Sequence, residues 1–250
     1  MSPGGPRSDT PVVVVGGGVA GAAAALALAE LGRDVALIDR REPAPMDDEA
    51  PLDPRVVAIS PGSQRLLAAL GAWHRLDRRR VAAYTRMQVA AGRGEVTFEA
   101  GEHGLDALGT LVEIPALVDA LWAGLRGNRR VHLHAPADLR SLELEPDRVD
   151  VTLADGTRFE ADLLIGADGA RSAVRTTAGI EIDTIDYNQQ ALVTHMTTES
   201  ANPGTAWQRF TSLGPLAQLP LPEGRSSLVW SVPNDAAERL MAMDDEAFID

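Results

Sequence analysis

The sequence has no cysteine and no lysine, and aromatic residues make up only 4% of it. Without cysteine there is no disulfide framework, no thiolate metal site, no cysteine nucleophile and no dithiol redox pair. Without lysine there is no phosphate loop ending in Gly-Lys-Ser/Thr and no Schiff base for pyridoxal phosphate. Positive charge is scarce as well. Arginine supplies all 23 basic residues against 36 acidic ones, for a net charge of −13. Such a balance argues against broad nucleic-acid binding, which needs a basic face, and against electrostatic attachment to anionic lipid. The longest apolar stretch, residues 11–31, is interrupted by Gly16, Gly17, Gly18 and Gly21 and changes midway from valines to alanines. That change marks a buried strand followed by a helix, not a membrane span. Residues 1–10 (MSPGGPRSDT) are small and polar and read as a disordered leader. The expected location is the cytoplasm. The remaining composition, 45% hydrophobic and 24% charged over 250 residues, is that of a globular chain of one or two domains.

What is present begins with Gly16-x-Gly18-x-x-Gly21. Residues 11–15 are β-branched, as in a strand buried on both faces. Residues 19–31 should be helical and stop at Gly32, and residues 34–39 form a second buried strand. The glycines therefore sit between strand and helix, where a dinucleotide fingerprint belongs. Gly16 permits the tight turn, Gly18 leaves room for a pyrophosphate, and Gly21 lets helix and strand pack closely. The helix N-terminus offers free N–H groups and partial positive charge to phosphates. Asp39, ending the second strand, stands where a carboxylate would accept hydrogen bonds from an adenosine ribose. The motif alone leaves FAD and NAD(P) open, although an acid at Asp39 disfavours the 2′-phosphate of NADP.

Farther along, residues 40–54 read as a loop, Ser60-Pro61 as a helix start, and residues 84–90 and 95–100 as a hairpin. Residues 115–125 form an amphipathic helix with Leu117, Leu121 and Leu125 on one face. Short strands at 131–135, 139–145, 149–153 and 158–160, with Asp155-Gly156 among the turns, read as a β-meander. After residue 180 several longer strands suggest a second, mostly antiparallel sheet, followed by helices at 234–241 and 245–249. The domain reading is a dinucleotide domain at 11–82 and 107–181, with a second domain at 83–106 and 182–250.

The segment 162–175 reads DLLIGADGARSAVR. A buried strand delivers Asp168-Gly169 at its end, and a helix begins near Ser172. Together with the N-terminal glycine motif, this segment resembles the FAD-dependent aromatic hydroxylases of the para-hydroxybenzoate hydroxylase type. Residues 53–67 (DPRVVAISPGSQRLL), 71–73, 206–221 and 225–233 (RSSLVWSVP) are similar to the ubiquinone-biosynthesis hydroxylases within that group. The resemblance runs from residue 11 to residue 250 and is weakest at 81–106 and 140–150.

The resemblance implies an α/β fold: an FAD/NAD(P)-binding Rossmann-like domain of the glutathione-reductase type with a β-meander, plus a mostly antiparallel substrate-domain sheet. It implies that Gly16, Gly18 and Gly21 hold the FAD pyrophosphate, with Asp39 on the ribose and Arg40 beside the adenosine. Arg55 would reach the FAD phosphates, and Asp168 and Gly169 would complete the site. The implied activity is hydroxylation of an aromatic ring, polyprenylated in ubiquinone biosynthesis. NAD(P)H reduces the flavin, O₂ adds to give a flavin C4a-hydroperoxide, and its distal oxygen passes to the ring. The alternatives are an FAD hydroxylase of a soluble aromatic, a prenyl reductase, or a truncated dinucleotide-binding fragment without activity. No catalytic side chain is named. Contact with the inner face of a membrane would be peripheral or through a partner complex. The family's Gly-Asp-Ala-Ala-His-type segment for the flavin end is absent, so the chain is expected to be the N-terminal portion of a longer enzyme.

Other constellations are weaker. His132 and His134 alternate on a strand with no third metal ligand nearby, so exposed strand histidines are expected. Asp77-Arg78-Arg79-Arg80 reads as a solvated helix end. Residues 207–210 (WQRF) are read as sheet packing, or as a wall of the substrate pocket. Residues 230–233 (WSVP) partly match a flavin-halogenase box, but its first tryptophan is Leu228 here and the required lysine does not exist.

Overall fold

A computed structural model describes residues 7–9, 12–47 and 49–249. Their contacts divide into two compact units. One holds the residues up to Asp47 with Leu66–Leu76 and Pro115–Asp183; the other holds Asp48–Arg65, Asp77–Ile114 and Thr184–Asp250.

The centre of the first unit is a parallel four-stranded sheet in the order Leu163–Gly166, Val12–Val15, Val35–Ile38, Val131–His134. Val12–Val15 and Val35–Ile38 are buried at every position, which explains their unbroken apolar sequences. The helix Val19–Glu30 connects them and buries Gly21, Ala22, Ala25, Leu26 and Ala29. Its inward face is mostly alanine and glycine, so it can lie close to the strands. The helix Ile114–Gly127 contributes Leu117, Leu121, Trp122 and Leu125, all at 0% exposure.

Leu139–Leu144, Val149–Leu153 and Arg158–Ala161 form an antiparallel meander, extended by Arg7–Asp9 parallel to its last strand. Leu142, Val151, Leu153 and Phe159 of the meander share one core with Val13, Val15, Ala36 and Ile38. Two expectations change here. Val131–His134 leaves the meander and joins the parallel sheet, because its partner is Val35–Ile38. Arg7–Asp9 is a short strand where a leader was expected; residues 1–6 and 10 lie outside the described residues.

The second unit contains a six-stranded sheet in the order Gln189–Met196, Ser226–Pro233, Pro215–Pro220, Thr205–Phe210, Arg86–Ala91, Gly94–Glu99. All neighbours are antiparallel except Thr205–Phe210 and Arg86–Ala91, which run parallel. The helix Asn234–Met241 packs Ala236 and Ala237 against Val232, Leu192 and Trp230. A smaller sheet joins Val56–Ile59, Gly109–Glu113 and Val81–Tyr84. Val56–Ile59 and Gly109–Glu113 were not foreseen, and of Val81–Tyr84 only Tyr84 was read as strand, at the start of the hairpin. Their pairing with Val81–Tyr84 draws residues 48–65 and 77–114 into the second unit, where the sequence reading divided them differently. Among the described residues, no helix is long and apolar enough to cross a membrane.

Candidate functional site

In the first unit the parallel strands deliver Gly16, Asp39 and Asp168 from their C-terminal ends to one cleft of about 240 Å³, which Arg40 and Asp138 also line. Open parallel sheets place ligands outside the carboxyl ends of their strands. Gly16 has φ +105°, and a Cβ there would lie 2.3 Å from the Ala167 carbonyl oxygen. A Cβ on Gly21 would meet the Gly16 carbonyl oxygen at 1.8 Å, so helix and loop touch backbone to backbone. Gly18 is different, for a Cβ there meets nothing within 4 Å. Its freedom from neighbours leaves space over the start of helix Val19–Glu30. That helix has no acidic residue in its first turn and no side-chain cap on Gly18, so its first N–H groups remain available to an anion.

Gly17, between the two motif glycines, is held on both sides of its peptide. Its N–H donates to Asp39 Oδ2 at 2.5 Å, and its carbonyl accepts from Trp122 Nε1 at 2.7 Å. A Cβ on Gly17 would lie 2.5 Å from Trp122 Cζ2. Asp39 Oδ1 accepts from the Arg41 N–H at 2.8 Å. A carboxylate offers about four lone-pair sites, so both oxygens can still take a ribose hydroxyl. Trp122 and Gly17 were missed by the sequence reading. They lie 105 residues apart, and nothing local ties one to the other.

Asp168 Oδ2 accepts from the N–H groups of Ala173 and Val174 at 2.7 and 3.3 Å, at the start of the short helix Ala173–Thr177. Its Oδ1 is buried with no hydrogen-bond partner. Burial is the largest influence on its carboxyl and pushes the pKa up. The bonds from Ser172, Val174 and Ala173 together outweigh it, so the net shift is downward. A buried carboxylate oxygen without a donor marks a place where a hydroxyl would be welcome. Gly169, next to it, is exposed with φ +83°. An open glycine loop, an uncapped helix start, and an orphaned acceptor in a residue that lines a cleft with Gly16 and Asp39 fit a dinucleotide.

Arg55 lies in the second unit. Its guanidinium is clamped to Asp53, Nε to Oδ1 at 2.9 Å and Nη2 to Oδ2 at 2.7 Å, with 68% of the side chain exposed. The side-chain bond from Arg55 is the leading cause of the lowered Asp53 pKa. Arg80 corrects an expectation: it is not solvated but 6% exposed, and it pairs with Glu113. Only Asp77 and Arg79 of that run behave as a surface pair, with Asp77 also accepting the Arg79 N–H at 2.8 Å. His195 and Ser227 face each other in register, and both His195 Nε2 and Ser227 Oγ are buried without a partner. Burial lowers the His195 pKa and Arg225 adds to this, while Glu113 and Asp53 oppose it. His134 packs edge-on against Phe159 at 4.8 Å. Among the described residues no group of three His, Asp or Glu could hold a metal ion. Trp207 and Phe210 are 43% and 50% exposed.

The sequence matches the family described as "FAD binding domain" over residues 9–246. It is 38% identical over 225 residues to 3-demethoxyubiquinol 3-hydroxylase of Escherichia coli (strain K12), covering 90% of this chain and 58% of that protein. It is 36% identical to the Homo sapiens protein "Ubiquinone biosynthesis monooxygenase COQ6, mitochondrial", covering 96% of this chain and 54% of that one. The chain thus spans little more than half the length of these relatives. Its fold is similar to that of p-nitrophenol 4-monooxygenase PnpA from Pseudomonas putida DLL-E4. The TM-score is 0.75 at 20% identity, over 94% of this chain and 61% of that one. By the extent of these matches, the chain belongs to the FAD binding domain family.

Proposed function

We propose that this chain is the FAD-binding and part of the substrate-binding portion of an aromatic-ring hydroxylase of ubiquinone biosynthesis. The observation that supports the cofactor most directly is the orphaned Asp168 Oδ1, in a residue that shares one cleft with Gly16 and Asp39. FAD supplies, when bound, the redox chemistry: electrons from NAD(P)H and one oxygen atom of O₂ for the ring, the other leaving as water. The chain's own residues bind and orient. Gly16, Gly18 and Gly21 form the pyrophosphate seat, and the helix start faces its charge. Asp39 takes the ribose, Arg40 lies beside the adenosine, and Asp168 with Gly169 completes the seat. Arg55 takes a phosphate, a role that rests on the family resemblance alone.

The substrate reading comes from the relatives, one named a 3-demethoxyubiquinol 3-hydroxylase and the other a ubiquinone biosynthesis monooxygenase. It is an electron-rich phenol or quinone precursor carrying a polyprenyl chain, received by the six-stranded sheet. A net charge of −13 makes any encounter with a membrane an apolar or partner-mediated one. The test is to add FAD to the purified protein and record the visible spectrum after gel filtration. Retained bands near about 375 and 450 nm, a property of the cofactor, are expected; a colourless protein overturns the claim that this chain holds FAD by itself. Asp39→Ala should weaken retention, and unchanged retention would refute its ribose role. Complementation of strains that lack each ubiquinone ring hydroxylation tests the substrate.

A further inference from the structure

Arg80 and Glu113 keep 6% and 2% of their side chains exposed. Burying two charges is costly, and apolar replacements of similar volume are often as stable or more so. Glu113 ends a strand that is buried at every position, where a leucine would pack without desolvating a charge. The pair does something that an apolar pair could not: it holds backbone. Arg80 Nη1 donates to Glu113 Oε1 and Oε2 at 3.0 and 3.1 Å. Glu113 Oε2 also accepts the Asp53 N–H at 2.6 Å. Arg80 Nη2 donates to the Ala50 carbonyl at 2.5 Å. Two points of one loop are thereby tied to the buried pair.

The loop in turn holds Arg55. Asp53 Oδ1 accepts the Arg55 N–H at 2.8 Å, in addition to the two guanidinium bonds. The Arg55 carbonyl accepts from the Ile114 N–H at 2.9 Å, one residue beyond Glu113. Both ends of the Asp53-Pro54-Arg55 turn are thus fixed to one strand end.

We infer that Arg80 and Glu113 are positioning residues, whose buried pair sets residues 50–53 so that Asp53 presents the Arg55 guanidinium in one orientation. The consequence for binding rests on the proposed function, which gives Arg55 a cofactor phosphate. An arginine whose rotamers are already restricted loses less freedom on binding. The pair would then act on FAD affinity although neither member touches FAD.

The test separates stability from positioning. Glu113→Ala removes the buried carboxylate that pairs with Arg80 and should lower Tm by roughly 10 °C. Arg80→Met/Glu113→Leu should return Tm to within a few degrees of the parent protein. At that restored Tm, amide exchange over residues 50–55 should be at least ten-fold faster. FAD should bind about ten-fold more weakly, or about 1.4 kcal/mol. Arg55→Met should weaken FAD binding in the parent protein and add little in the double variant, because both changes act through one guanidinium. Unchanged exchange over 50–55 in the double variant overturns the positioning role. An Arg55→Met effect of equal size in both backgrounds overturns the route through Arg55. If Arg55→Met leaves FAD binding unaltered in the parent, the phosphate role has failed, while faster exchange in the double variant still supports the loop's dependence on the pair. Should the double variant not regain stability, Glu113→Gln serves in its place. There, exchange at residues 50–55 is compared with that at Leu111 and Val112 in the same protein. A rise confined to the loop supports the inference, and a parallel rise overturns it.

Discussion

In the first unit the groups proposed to meet the cofactor are held by sterics and by hydrogen bonds to the backbone of one residue, Gly17. Gly16 and Gly21 touch backbone, and Gly17 is gripped by Asp39 and the Trp122 indole. In the second unit Arg55 is held by the Asp53 carboxylate, and the backbone N–H of Asp53 is held in turn by Glu113 of the buried ion pair with Arg80. The difference lies in how each can fail. A backbone contact with no room for a Cβ has no substitute side chain. A charged pair can be exchanged for an apolar one that keeps the volume and loses only the direction it imposed.

The largest effect should come from the steric side. Gly21→Ala places a Cβ against the Gly16 carbonyl and should cost about 3 kcal/mol or more in urea denaturation. Gly18→Ala, with open space around it, should stay within about 1 kcal/mol of the parent protein and yet lose FAD retention. Equal stability losses for the two would show that the loop is not divided into a packed side and a ligand side.

Trp122→Phe comes next. It keeps an aromatic ring but strands the Gly17 carbonyl, a loss of about 1–3 kcal/mol, with weaker FAD binding. A stability within error of the parent would mean that the indole N–H is not what holds Gly17.

The smallest effect is a pH slope, and it occurs in both units. The His134 pKa is lowered by burial first and by His132 second; the His195 pKa is lowered by burial first and by Arg225 second. Each imidazole is therefore easier to protonate in the unfolded chain. Each contributes stability that is present above an ordinary histidine pKa of about 6.5 and is lost as pH falls through it toward the lower folded value. His195→Gln should flatten the fall of the urea midpoint between about pH 7 and 5. A slope as steep as the parent's would remove His195 from the account.

Where one stretch of chain carries a feature, the sequence shows it. The strand–glycine–helix–strand opening, the leucine face of Ile114–Gly127 and the three meander strands follow from local periodicity and turn residues. The places of Gly16, Gly18, Gly21, Asp39 and Asp168 in the fold were legible for the same reason, since each sits at a strand end or a helix start. Val56–Ile59 and Gly109–Glu113 were not, because four or five residues of mixed apolarity make a strand only when a distant partner is present. Val131–His134 has the same pattern as the meander strands, and only its pairing with Val35–Ile38 sends it to the parallel sheet. Arg80 lies in a run of three arginines that looks solvated. Its burial is decided by Glu113, 33 residues away.

The parallel pairing of Arg86–Ala91 with Thr205–Phe210 also sets a timetable on the ribosome. Arg86–Ala91 can close a hairpin with Gly94–Glu99 as soon as both have emerged. Its other edge must wait for Thr205–Phe210, more than a hundred residues later, on the order of ten seconds of translation. An unpaired strand edge is a template for pairing with the wrong chain. The nascent polypeptide therefore carries this open edge throughout that interval, and slower elongation between these two strands would lengthen the exposure.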